Sequence, residues 1–301
     1  MATDRHSGKG KGEQGEKRQG PKDFLKDLAV VLVAFFFLNS FVLASFEVPT
    51  GSMENEIMTG DFLFVNKFLY GGTTPRTIPL TNIRLPWFRV PGFRRVERGD
   101  VIVFEFPGNR DEIRSPEFMF YLKRAVALTH DTVQIVNRVL YVNHLAAPLP
   151  RNMKFNSTRI KAPGVVDPTI FPKGAPYNED NWGPEVVPWK GEEIQLTASN
   201  YERWGTFIAR EGHHPNIDAT GRITIDDVPA TSYIVERNYL FGMGDNRDNS
   251  ADGRFWGYIP AENIVGTPMI VYWAWDPNIP IVDLFAKLGS IHLNRIGTIV
   301  K

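Results

Sequence analysis

The stretch from Leu28 to Phe46, LAVVLVAFFFLNSFVLASF, is apolar apart from Asn39, Ser40 and Ser45, and it limits what this chain can become more than any other feature. At about 1.5 Å per residue a helix from Phe24 to Phe46 spans roughly 30 Å, the thickness of a bilayer's hydrocarbon core. Lys9, Lys11, Lys17, Arg18, Lys22 and Lys26 all precede it, whereas Glu47, Glu54 and Glu56 follow and the next lysine is Lys67. Cations are retained on the cytoplasmic side, so this asymmetry predicts a cytoplasmic N-terminus and an extracytoplasmic remainder. A cleaved signal peptide has a shorter apolar region, and a buried core helix needs no one-sided charge. Residues 1–23 read as a disordered cytoplasmic tail, too poor in apolar surface to offset chain entropy, and residues 24–46 as the anchor.

Beyond the anchor, short runs rich in Val, Ile and Phe end in Gly, Pro, Asn or Asp. Asp61–Val65, Asp100–Phe106, Thr132–Val136 and Arg222–Ile225 are such runs, and they predict a mainly β soluble part. Helix is expected only around Val282–Lys287. Residues 144–230 carry fewer strand signals and many Pro, Gly, Asn and Trp residues, so they read as an inserted lobe between two catalytic stretches, 47–143 and 231–301. A net charge of +0 gives no field that favours nucleic acid. The absence of cysteine removes thiol nucleophiles, disulfides and thiolate metal sites. His213 and His214 lack carboxylates at ligand spacing, so no metal is expected. The sequon at Asn156 is a common chance match.

Three segments hold more unusual residues than a structural role requires. Residues 46–54, FEVPTGSME, describe a strand ending in a tight turn, which can aim a hydroxyl and backbone N–H groups at a cleft. Residues 120–126, FYLKRAV, read as a strand. Alternation there puts Lys123 and Arg124 on opposite faces, so one of them faces away from the side Leu122 takes, a geometry that allows one buried lysine. Residues 242–257, GMGDNRDNSADGRFWG, suggest a loop held by its own hydrogen bonds. Calcium would suit such a loop, but Arg247 and Arg254 would neutralise the charge it needs.

In this order, behind one anchor, these segments resemble the type I signal peptidases, a family of Ser/Lys endopeptidases that remove signal peptides from exported proteins. The resemblance covers the anchor and the blocks 48–57, 60–67, 98–104, 121–131 and 242–260, of which GDNRDNSADGRFWGYIP is the most specific. It implies a signal-peptidase-like β fold and cleavage after Ala-X-Ala-like sites. Preprotein signal peptides, membrane lipid and a nearby secretion translocon are the implied partners, in a bacterial cytoplasmic membrane and without a cofactor. Position by position, it implies Ser52 as nucleophile, Lys123 as general base, Thr50 beside the Ser52 amide in the oxyanion hole, and Ser250 as the residue orienting the base. Asp245, Arg247, Asp252 and Arg254 fall where the family's loop is structured.

The chain departs from the family at Thr129-His130, where Pro-Gly is usual, and at Gly253, where Ser is common. His130 therefore offers itself as an alternative base, although seven residues from Lys123 should carry it past the strand's end. A pilus or conjugation peptidase of the same kind, or an anchored peptide-binding protein without catalysis, are the competing functions. Ser52, Lys123 and Ser250 are all present, which argues against an inactive homologue.

An exposed lysine titrates near 10.4 and cannot accept a proton at neutral pH. Apolar walls can bring it to roughly 7 to 8, a shift of ~2.5 units that costs about 3.4 kcal/mol. Phe46, Val48, Met53 and Leu122 are the expected walls. The same four residues are expected to line the pockets that read substrate side chains.

Overall fold

The apolar run forms a helix, but not to its end. In a computed structural model that describes residues 20–76 and 83–300, α1 spans Pro21–Phe41 and is, among the described residues, the one helix long and apolar enough to cross a membrane. Its Phe and Val side chains are largely exposed, as a membrane span's would be without its lipid. The expected tail lies outside the described residues up to position 19.

The expected helix end at Phe46 is corrected. After the single residue Val42 the chain turns into β1, Leu43–Glu47. An apolar run does not by itself distinguish helix from buried strand. Here Leu43 to Glu47 find a complete antiparallel partner in β2, Asp61–Asn66, from Leu43 opposite Asn66 to Glu47 opposite Phe62. Ser45 Oγ also bonds Tyr272 Oη at 2.6 Å across the sheet.

The remaining elements are β3 Val101–Glu105, β4 Phe120–Ala127, β5 Thr132–Val136, β6 Val139–Val142, β7 Leu145–Ala146, β8 Trp182–Val186 and β9 Glu193–Gln195. Then come α2 Tyr201–Glu211, β10 Pro215–Ile217, β11 Ile223–Ile225, β12 Val228–Pro229, β13 Ser232–Ile234 and β14 Tyr239–Met243. The chain closes with α3 Gly253–Trp256, β15 Ile259–Pro260, β16 Ile264–Ala274 and α4 Leu284–Gly289. Seven strands form one curled sheet in the order β1-β2-β16-β3-β4-β14-β15. The curl brings the two ends of the catalytic segments together, so that the Phe46 ring on β1 meets the Phe120 ring on β4 edge to face, with centroids 4.9 Å apart.

Strand β3 is buried on both faces, which is why its sequence shows no polar alternation. Val101 and Val103 join Val48, Met53, Ile57 and Leu63 in one core, while Ile102 and Phe104 join Ala125, Leu240 and Trp256 in another. A third core ties residues of the 144–230 stretch to the main sheet, with the Trp182 ring 4.7 Å from Phe241 of β14.

Helix α2 was not expected. Trp204, Phe207, Ile208 and Glu211 nevertheless recur at helical spacing and are among its buried residues, and Gly212 closes it at φ 108°. Also unexpected are the carboxylates at His213, which come from distant positions: its two ring nitrogens bond Asp226 and Glu236 at 2.6 and 3.0 Å.

Candidate active site

The turn after β1 is built from small rings of backbone bonds. Val48 N donates to Asp61 O at 2.9 Å and Gly60 N to Val48 O at 2.9 Å, closing residues 49–59 into a loop whose base is fixed by the sheet. Within it, Ile57 N bonds Met53 O at 2.9 Å, while Met53 and Ile57 are fully buried underneath. Ser52 is thus carried on a short turn pinned by apolar side chains, and it is itself buried.

Strand β4 supplies the facing amine. Lys123 pairs with Ile102 and Arg124 with Val101 on β3, so the two cations leave opposite faces, as alternation requires. Arg124 grips Asp245 through Nε at 2.9 Å and Nη2 at 2.6 Å, and its Nη1 bonds Gly99 O. Lys123 points the other way. Its Nζ lies 2.7 Å from Ser52 Oγ, and only 3% of the residue is exposed. Burial pulls its pKa down to about 8, opposed by the charges of Asp252 and Asp245 and assisted by Arg254.

Between β1 and β4 opens a cavity of about 500 Å³. Phe46, Val48, Met53 and Leu122 line it, together with Thr50, Ser52, Lys123 and Ser250. Of the expected site residues, these eight share one cavity, while Asp245, Arg247, Asp252 and Arg254 do not line it. Nor does His130: it stacks on Trp189 with centroids 4.3 Å apart and lines a different cavity.

The loop after β14 closes the site. Asp252 and Arg254 are both almost wholly buried and bond through Arg254 Nε and Nη2, each at 2.9 Å. Asp252 also accepts from Gly244 N at 3.1 Å, and Arg254 Nη2 donates to Arg247 O at 2.6 Å. Gly244 has no room for a side chain, since a Cβ there would stand 2.2 Å from Ser250 Oγ and 2.6 Å from Ser52 O. That close approach sets Ser250 beside the nucleophile's turn. Its Oγ, expected to hold the base, is buried and has no hydrogen-bond partner among the described residues.

The family model described as signal peptidase, peptidase S26, matches residues 22–273. The chain belongs to this family. Among curated proteins it is similar to Signal peptidase I of Pseudomonas aeruginosa, 30% identical over 285 residues that cover 90% of this chain and 78% of the relative. Signal peptidase I of Buchnera aphidicola subsp. Acyrthosiphon pisum is 25% identical, covering 93% of this chain and 86% of the relative. The protein of that name from Aquifex aeolicus is 25% identical, covering 82% of each. The activity of the chain is accordingly that of a type I signal peptidase, a serine endopeptidase.

Two departures from the usual signal peptidase pattern find local accommodation. His130 sits at φ 72°, a left-handed conformation that a glycine adopts freely. The turn around it is held by Asp131, which accepts from Leu128 N at 2.7 Å, Asn143 Nδ2 at 2.9 Å and Arg98 Nε at 2.7 Å. At position 253 a Cβ would meet the Phe241 ring at 2.8 Å and Gly242 O at 3.0 Å. Phe241 fills the space that a serine would need. Gly253→Ser is therefore expected to destabilise this chain by about 1 to 3 kcal/mol, read by thermal melting, because rigid ring and backbone must both move.

One residue that holds the site escaped the sequence reading. Asn246 is fully buried, its N donates to Ser52 O at 3.0 Å, and its Nδ2 donates to Gly51 O and Glu54 Oε2, each at 3.0 Å. It staples the nucleophile's turn to the loop after β14. In a stretch already crowded with Asn and Asp, nothing local distinguishes it. Glu54 in turn pairs with Lys154 at 2.7 Å, which brings the 144–230 stretch to the same turn.

Proposed function

We propose that Ser52 attacks the scissile carbonyl while neutral Lys123 takes its proton, and that Lys123 then hands this proton to the leaving amine. The acyl group left on Ser52 is released by a water that the same amine deprotonates. The contact of 2.7 Å between a buried amine and a buried hydroxyl is the observation that carries this reading. Incubation of the detergent-solubilised chain with a preprotein bearing an Ala-X-Ala site, followed by sequencing of the new N-terminus, tests it. Cleavage elsewhere, or none, overturns the substrate assignment.

For the developing oxyanion, two donors stand free. The Ser52 N–H makes no hydrogen bond among the described residues, and neither does the exposed Thr50 hydroxyl, which lines the same cavity. Thr50→Val keeps the side-chain shape and removes a donor used in the transition state, so kcat is expected to fall about 10²- to 10³-fold while Thr50→Ser stays mild. Equal losses in both variants would assign Thr50 a packing role. Ser250 is assigned the positioning of the amine because its buried Oγ lines the same cavity as Lys123, although it makes no bond to the amine in this structure, and Asp245, Arg247, Asp252 and Arg254 are assigned the frame of that loop.

The substrate is an extended signal-peptide segment added between two open strand edges. Strand β1 is paired only to β2, and β14 pairs with β4 only from Arg124 to Ala127, which leaves Phe120 to Lys123 uncovered on that side. Backbone pairing gives the affinity, and alternate side chains enter the cavity. Phe46, Val48, Met53 and Leu122 crowd it, so Ala, Gly or Ser fit at the first and third residues before the cut. Val48→Ala is expected to admit Val or Leu at one of these positions with little change in Ala-X-Ala cleavage, measured on a substrate panel varied at both. An unaltered profile would remove Val48 from the pockets.

In this reading residues 47–143 and 231–301 form the catalytic part and 144–230 an inserted lobe. Helix α1 holds the chain in a bacterial cytoplasmic membrane, with tail inside and catalytic part outside, close to the secretion translocon.

A further inference from the structure

A second cavity, of about 940 Å³, lies away from Ser52 and Lys123 and shares no lining residue with theirs. Arg89, Arg94, Arg95 and His130 line it over an apolar floor that includes Leu128 and Leu240, and no described lining residue is acidic. The cations are unequally engaged. Arg94 is neutralised by Asp100 through bonds of 2.7 and 2.9 Å. Arg89 spends its guanidinium on the backbone carbonyls of Tyr70, Glu262 and Ile264, with no bond to a carboxylate among the described residues. Arg95 is exposed and has no carboxylate partner among the described residues.

The position of this cavity is as informative as its charge. The segment carrying Arg89 to Arg95 is laced to residues 69–72, with Val90 N bonded to Gly72 O at 3.0 Å and Phe93 N to Leu69 O at 2.9 Å. Gly72 in turn lies so close to Phe41, the last residue of α1, that a Cβ there would stand 2.4 Å from its backbone. Lys67 N donates to Val42 O at 2.9 Å. At the cavity's rim Phe93 meets Phe68 with centroids 4.3 Å apart and the rings tilted by 35°, and both are exposed. Phe88, also exposed, touches Phe41 with centroids 6.1 Å apart. The cationic cavity therefore lies beside the end of α1, rimmed by exposed phenylalanine rings whose apolar surface acyl chains could cover.

We infer that this cavity binds the phosphate headgroup of an anionic phospholipid, with Arg95 as its free cation and the acyl chains running along Phe93, Phe68 and Phe88. The chemistry recognised is a phosphate monoanion joined to an apolar tail. The inference rests on α1 being the membrane anchor, since only then is the cavity mouth at headgroup level.

The full chain, purified in detergent, is titrated calorimetrically with dihexanoylphosphatidylglycerol, dihexanoylphosphatidylcholine and inorganic phosphate. Saturable binding of the phosphatidylglycerol is expected, with clearly weaker binding of the zwitterionic lipid. Arg95→Ser should weaken it about fivefold, as loss of one cation near an anionic headgroup does. A second variant, Leu128→Asp, places a carboxylate in the floor and should weaken it further. Cleavage of a soluble peptide should be unchanged in Arg95→Ser. Equal binding of both lipids, or wild-type binding by Arg95→Ser, overturns the inference. Inorganic phosphate bound as tightly as the lipid reduces the site to one for free phosphate and overturns it too. Flotation of the chain with phosphatidylcholine vesicles reports on α1 separately. Flotation without a phosphatidylglycerol preference overturns the cavity inference alone, whereas failure to float overturns the anchor and the headgroup inference with it.

Discussion

Replacing Lys123 by Met is expected to give a protein that cuts nothing and melts higher than its parent. The loss of activity follows from the dyad acting as a unit, so Ser52→Ala should be equally inactive. The gain in stability follows from the cost of the amine. Its ordinary value of 10.5 falls to about 8 in the folded chain, chiefly through burial. Between those two values the unfolded chain binds more protons than the folded one, so stability rises with pH across that window. Below pH 8 the whole penalty is present, roughly 3 kcal/mol for such a shift. Met has similar volume and no charge to desolvate, so it removes that penalty at neutral pH. Melting curves at pH 7 and pH 10 test this, with the advantage of Lys123→Met shrinking at the higher pH. The same titration should appear in catalysis, where kcat/KM of the parent climbs as pH rises through about 8. A Met variant less stable than the parent at pH 7, or a rate that falls as the amine deprotonates, would contradict the role given to Lys123.

Asp252→Ala is expected to cost about 3 to 5 kcal/mol, because it leaves Arg254 charged, buried and without its carboxylate. The pair is 0% and 2% exposed at its side chains, so bulk water does not screen the charge that is left behind. The damage should extend to the base. Asp252 is the largest influence holding the Lys123 pKa up against burial, so its loss should move the ascending limb of the pH profile to lower pH. Arg254 remains as a cation that pushes in the same direction. Melting and a pH–rate profile separate the two effects. Pairing Asp252→Leu with Arg254→Met should recover much of the stability, since apolar replacement of a buried ion pair is often neutral. If the single variant melted like its parent, the loop would owe its order to other bonds.

The strands were legible because each needs only a short Val- and Ile-rich run with a turn at either end. Asp61–Val65, Thr132–Val136 and the segment around Lys123 fall on β2, β5 and β4 within a residue or two. The opposite directions of Lys123 and Arg124 also followed from alternation alone. What stayed hidden depends on partners far away in sequence. Leu43 to Glu47 leave the helix because β2 is there to pair with them, and α2 forms because Trp204, Phe207 and Ile208 have a core to enter. Asn246 acquires its importance only when Gly51 and Ser52 arrive opposite it. The assignment of roles to Thr50 and Ser250 came from family resemblance, and periodicity alone would not have singled out either hydroxyl.

The passage from α1 to β1 through Val42 alone leaves no slack between anchor and cleft. Strand β1 is itself one wall of the cavity, so the depth of the span in the bilayer dictates the height at which Ser52 works. Five strand residues rise about 17 Å. With α1 spanning a bilayer, the chain is expected to act as a ruler, cutting a bound segment where the stretch between its own apolar core and its small residues matches that height. Length, as well as side-chain size, then decides which bonds are cut. A slack insertion of a few glycines after Val42 should blur that measure and allow cuts at neighbouring small residues.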